Sequence, residues 1–128
     1  MTGSEYQRQA MRTNDRQATG RVTNAIEWIL KASKPIDIGG LFDACLGLSG
    51  EVGELNDIVK KWIFHESNFN TEHMKKELGD VMWYVAMFCE SMNWDLNEIL
   101  SMNIEKLKMR YPEGFSVERA NNRKVCDI

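Results

Sequence analysis

Apolar residues in this chain recur at steps of three and four instead of alternating, and strong turn signals are scarce. That pattern commits nearly the whole length to helix. Tyr6, Ala10 and Met11 fit a short first helix, and Val22, Ala25, Ile26, Ile29 and Leu30 follow the i, i+3, i+4, i+7, i+8 stripe of a second. Pro35 closes that segment, and residues 34–40 read as a loop. A long helix from about Leu41 to Phe64 is expected to bury Phe42, Cys45, Leu46, Val52, Leu55, Val59 and Trp62. Residues 65–70 read as the next turn. Asn70 or Thr71 caps a helix running to about Met92, with Leu78, Val81, Val85 and Phe88 facing the core. Asp95 and Glu98 resemble a capping box that opens a further helix, whose apolar face is Leu96, Ile99, Leu100, Ile104 and Leu107. Pro112 and Gly114 end it. The polar tail with Arg119, Asn121, Asn122, Arg123 and Lys124 is expected to be loosely held or ordered by a neighbouring subunit. The expected fold class is all-α.

At 128 residues the chain suits one compact domain, 1–128, and the 43% apolar and 27% charged composition is that of a globular protein. Sixteen Lys plus Arg against nineteen Asp plus Glu leave a net charge of -3, which lacks the basic excess of a general nucleic-acid binder. Any anionic ligand is therefore held locally. Cys45, Cys89 and Cys126 form no CxxC pair, and an odd number cannot all pair within one chain. The polar start MTGSEYQRQAMRT has no apolar signal segment, and the longest apolar run is Val81 to Cys89. The expectation is a cytoplasmic protein with no membrane span.

Two segments repeat one pattern of acid, apolar, Gly, acid, apolar: Glu51-Val52-Gly53-Glu54-Leu55 and Glu77-Leu78-Gly79-Asp80-Val81. Acids at i and i+3 project from one helix face beside apolar neighbours that border a core. A mid-helix glycine costs roughly 1 kcal/mol relative to alanine, so its presence in both motifs suggests close helix approach or backbone room for a ligand. If the motifs face each other, four carboxylates converge. At about 5 Å and an effective dielectric near 20, each like-charge pair costs on the order of 3 kcal/mol, so the cluster requires protons or cations. Oxygen-only ligands suit Mg²⁺, with Mn²⁺ the alternative, and Mg²⁺ favours a few carboxylates together with water and substrate phosphates. Against this stands the reading of each motif as solvated surface charge.

Asn103, Lys106 and Arg110 share a stripe at i, i+3 and i+7, suited to a triphosphate or simply to solvent. Lys61 and Tyr84 follow Glu54 and Asp80 along their helices. Tyr84 reads either as a contact to sugar, base or phosphate or as an amphipathic boundary residue, and Lys61 reads as solvated more than catalytic. His65 and His73 complete neither HExxH nor Glu-x-x-His, so both read as structural or exposed. No P-loop or Rossmann glycine motif is present.

The ordered set Leu48-Ser49-Gly50-Glu51-Val52-Gly53-Glu54-Leu55, Glu77-Leu78-Gly79-Asp80-Val81-Met82-Trp83-Tyr84, Asn103-Ile104-Glu105-Lys106-Leu107 and Arg110-Tyr111-Pro112-Glu113-Gly114-Phe115 resembles the MazG-like all-α nucleoside triphosphate pyrophosphohydrolases. Tyr6-Gln7 with Met11-Arg12-Thr13 is similar to the start of short phage and bacterial members. The likeness covers about residues 41–123, while the helix and loop of 14–40 match poorly. It implies a four-helix-bundle-like fold that forms homo-dimers or homo-tetramers, with Glu51, Glu54, Glu77 and Asp80 binding Mg²⁺. It also implies Lys106 and Arg110 at the substrate phosphates, with Asn103 and Tyr84 at recurrent positions. The implied reaction is hydrolysis of a nucleoside triphosphate between the α and β phosphates to a monophosphate and pyrophosphate, with Glu51 or Glu54 as general base. Two alternatives accompany it: a specialised pyrophosphatase for dUTP, dCTP or a modified deoxynucleotide, and a non-catalytic helical regulator that binds nucleotide or protein.

Overall fold

A computed structural model describes residues 1–122, so Arg123, Lys124 and Cys126 lie outside the described residues. Those described residues form helices and connecting turns with no strand, as the three- and four-residue periodicity requires. The chain divides into two compact units, Met1–Ile38 and the remainder from Gly39.

In the first unit, α1 (Gly3–Ala10) is opened by a capping box: the Glu5 N–H donates to Thr2 Oγ1 at 3.2 Å, and the Thr2 N–H donates to Glu5 Oε2 at 2.6 Å. A single 3₁₀ turn, Met11–Thr13, follows. Asp15 and Arg21 form an ion pair across the entry to α2 (Ala18–Leu30), which ends five residues before Pro35. Ile29, from the expected stripe, is its buried side chain.

The second unit begins in α3 (Ile38–Phe64), three residues earlier at its start than the apolar pattern suggests. It continues through α4 (Thr71–Ser91), α5 (Leu96–Arg110) and a short α6 (Val117–Asn121). Asn70 caps α4 by accepting the His73 N–H at 3.0 Å, and Asp95 caps α5 by accepting the Asn97 N–H at 2.8 Å. The tail expected to be loose instead enters α6, where the Ser116 side chain accepts the Arg119 N–H. Its local cap was hidden among polar residues.

α3 and α4 run antiparallel, with residue numbers rising along one helix as they fall along the other: Gly47 faces Tyr84, Glu51 lies near Asp80, and Trp62 stacks on Phe69 with ring centroids 4.2 Å apart. The turn between them passes through Glu66 in the left-handed region, φ 52°, and the Ser67 N–H donates to the Lys61 carbonyl at 3.2 Å. α4 ends in a Schellman arrangement. Asn93 sits at φ 57°, its N–H donates to the Glu90 carbonyl, the Trp94 N–H donates to the Cys89 carbonyl, and Phe88 packs near Trp94.

The expected core is corrected on several counts. Ala44, Cys89, Ser91 and Glu77 are the buried side chains of α3 and α4, while Phe42, Cys45, Leu46, Val52, Trp62 and Leu78 are exposed, as are Leu100, Ile104 and Leu107 on α5. Periodicity marks a face that avoids water without saying whether its cover comes from the same chain. No helix among the described residues is long and apolar enough to cross a membrane.

Candidate active site

The paired acidic motifs sit on the facing helices α3 and α4, and the antiparallel register lets three of their carboxylates meet. Glu51, Glu77 and Asp80 each offer an oxygen within 4.8 Å of the others, a group able to hold a metal ion. Glu54 stands outside that group and is exposed, one helical turn beyond Glu51. The three differ in environment: Glu51 is half-buried, Asp80 exposed, and Glu77 only 8% exposed. A buried carboxylate beside two others is costly in a single ionised state. The strain shows at Glu51, whose carboxyl is pushed above the usual glutamate range by desolvation first, then by the charges of Glu54, Asp80 and Glu77 and a hydrogen bond with Glu77.

Glu77 also borders a cavity of about 510 Å³ whose wall includes Gly50, Gly53, Glu54, Asp57, Lys61 and His73. That volume falls within the range of small-molecule sites, about 300–1,000 Å³. Ser67, Asn68 and Asn70 from the α3–α4 turn add hydrogen-bonding groups to the rim. Lys61 reaches Asp57 Oδ2 at 2.6 Å, and Lys60 reaches Asp57 Oδ1 at 3.0 Å. The two ammonium groups, Lys61 first, hold the Asp57 carboxyl below its ordinary range, while Asp57 raises Lys61. Of the acidic group, Glu77 thus shares one cavity lining with Glu54 and the Lys61 ammonium, while Glu51 and Asp80 do not border it.

The glycines divide differently from expectation. A Cβ on Gly53 or Gly79 would meet nothing within 4 Å, so neither marks a close helix approach; Gly53 instead opens the cavity wall. The close approach is at Gly47, where a Cβ would clash with the Tyr84 ring. Tyr84 is thereby placed at the helix contact, edge-on to Trp83 at 4.9 Å, and does not line the acidic cavity.

The α5 stripe is also set apart. Asn103 and Lys106 line a second cavity with Ile99, Met102, Glu105 and Met109, and none of these residues borders the first. Arg110 lies at the end of α5, partly buried, with its guanidinium 5.9 Å from the Tyr111 ring centroid.

His73 escaped motif reasoning. It lies one turn before Glu77, and its Nε2 is 2.8 Å from Glu77 Oε1. The i, i+4 spacing to an acid was the available signal, hidden because the zincin and di-iron patterns concern direct ligands.

The family model described as the MazG nucleotide pyrophosphohydrolase domain matches residues 43–115. The Gene 37 protein of Mycobacterium phage L5 is 34% identical over 90 residues, a span that covers 67% of this chain and 79% of that protein. No solved structure matches. The matched residues 43–115 include both acidic motifs, the turn that rims the cavity and the whole of α5.

Proposed function

The chain belongs to the MazG nucleotide pyrophosphohydrolase family, and from that premise we propose that it hydrolyses a nucleoside triphosphate between the α and β phosphates, giving a monophosphate and pyrophosphate. The carrying observation is the meeting of Glu51, Glu77 and Asp80 within 4.8 Å, with Glu77 of the three bordering the cavity. Like charges at that spacing call for a counter-cation, and an all-oxygen donor set fits Mg²⁺ or Mn²⁺. Glu51, Glu77 and Asp80 hold it, with Glu54 completing the set from the cavity wall. Such an ion supplies neutralisation of phosphate charge and activation of water.

The side chains divide the remaining work. Glu51, whose raised carboxyl reports a proton-hungry environment, or the exposed Glu54 accepts the proton of the attacking water. Lys61 offers its ammonium to the phosphate chain from the cavity wall. Lys106, Arg110 and Asn103 act on the leaving pyrophosphate, and Tyr84 contributes through the α3–α4 packing that sets the acids' spacing.

We also propose that the working form is a homo-dimer or homo-tetramer. What supports it is the exposed apolar residues of α3, α4 and α5, among them Leu46, Trp83 and Leu100, which a second copy would cover. A second copy also supplies a route for the α5 stripe of one subunit to approach the acids of another.

Pyrophosphate release across canonical and modified nucleoside triphosphates, with and without Mg²⁺, tests the chemistry. Metal-dependent release that disappears in Asp80→Asn while helical circular dichroism persists is the expected result. Full activity in Asp80→Asn, or no release from any triphosphate, removes the proposal. The panel also separates a general enzyme from one specialised for dUTP, dCTP or a modified deoxynucleotide.

A further inference from the structure

The acidic cluster is touched by a side chain that is not an acid, His73. Glu77 is the most buried of the three at 8% exposure, and it has neighbours on two sides: Glu51 offers an oxygen within 4.8 Å of its own, and His73 Nε2 lies 2.8 Å from its Oε1. His73 is itself fixed at its backbone, because its N–H is the one that Asn70 accepts to cap α4. The imidazole lines the cavity with its side chain about half exposed. A carboxylate that can rotate about its last torsion presents its oxygens in many directions. One whose oxygen is tied by a ring N–H is fixed in plane before a cation arrives.

We infer that His73 is a positioning residue of the metal site, donating Nε2–H to Glu77 Oε1 so that Glu77 faces Glu51 and Asp80 in a cation-ready orientation. The inference rests on the metal-site reading proposed above and adds to it a residue outside the paired acidic motifs. Hydrogen-bond partners behind metal ligands typically account for 10- to 100-fold in metal affinity. Asn70 belongs to the same device, since its cap sets where the first turn of α4 carries the ring.

The test is a Mn²⁺ titration of the full chain at pH 8, followed by electron paramagnetic resonance of the free ion, on wild type, His73→Ala, His73→Gln and Glu77→Gln. Helical circular dichroism on each confirms folding. Expected is Mn²⁺ affinity weakened 10- to 100-fold in His73→Ala. His73→Gln, whose amide nitrogen stands where Nε2 stood, should return most of it. Mn²⁺ binding in His73→Ala that equals or exceeds wild type, while Glu77→Gln loses it, overturns the role of His73 and leaves the metal site intact. Equal weakening in His73→Ala and His73→Gln also overturns it, because the hydrogen bond would then not be the cause. Wild-type binding that Glu77→Gln does not alter refutes the underlying metal-site reading instead.

Discussion

Gly47→Ala isolates the packing term on which the acids' alignment depends. Any helical Gly→Ala change gains roughly 1 kcal/mol of propensity. At Gly47 the new methyl clashes with the Tyr84 ring, so the ring must swing or the helices must part. Overpacking of this kind costs typically about 1–3 kcal/mol. At Gly79, on the facing helix, the same methyl meets open space. The propensity gain is common to both, so the difference between Gly47→Ala and Gly79→Ala reports the clash alone, and about 1–3 kcal/mol is expected. The measurement is equilibrium urea unfolding at one fixed protein concentration, with EDTA present so that metal binding does not enter. A double-mutant cycle adds Tyr84→Ala, which removes the ring and should return the two glycine variants to equal stability. Gly47→Ala as stable as Gly79→Ala, in a background that retains Tyr84, would refute the contact.

Two further outcomes follow from the charges. Because the Glu51 carboxyl is raised above its ordinary value near 4.5, the folded state binds more protons than the unfolded one above that pH, and this group withdraws stability as pH rises through that window. Glu51→Gln should therefore melt higher than wild type at pH 7 in EDTA, with the gain shrinking toward pH 4.5; a gain that is constant or reversed counts against the repulsion. Lys106→Ala should raise KM for triphosphates more than the inhibition constant of a monophosphate, since its charge is assigned to the phosphate chain. Equal effects on both ligands would detach Lys106 from that task.

What the sequence discloses and what it conceals separate along physical lines. The spacing of Glu51 with Glu54 and of Glu77 with Asp80 is local, so it could be read from helical geometry before any partner was known. Their convergence depends on the register between α3 and α4, which the Gly47–Tyr84 contact and the Trp62–Phe69 stack define. Nothing in a linear reading distinguishes Gly47 from Gly53, because a glycine's use is decided by what crosses it. The same holds for Leu46 and Leu100, at 75% and 54% exposure. Their periodicity marks one apolar face of a helix, but it does not say what lies against that face, and in this chain both side chains are exposed. His73 was overlooked because its chemistry lies in what it holds and not in what it ligates.

The register between the two long helices also divides the chain into stretches where length is fixed and one where it is free. Removing a residue between Gly47 and Glu51 turns everything after it by about 100° relative to the Tyr84 contact, and the first acidic motif then points away from the second. Residues 65–68 lie outside the Gly47–Tyr84 contact, the Trp62–Phe69 stack and the Asn70 cap, so a change of length there that keeps those pairs alters the rim of the cavity and leaves the acids in step. Variation in ligand preference has room to accumulate in that turn without disturbing the charge cluster it overlooks.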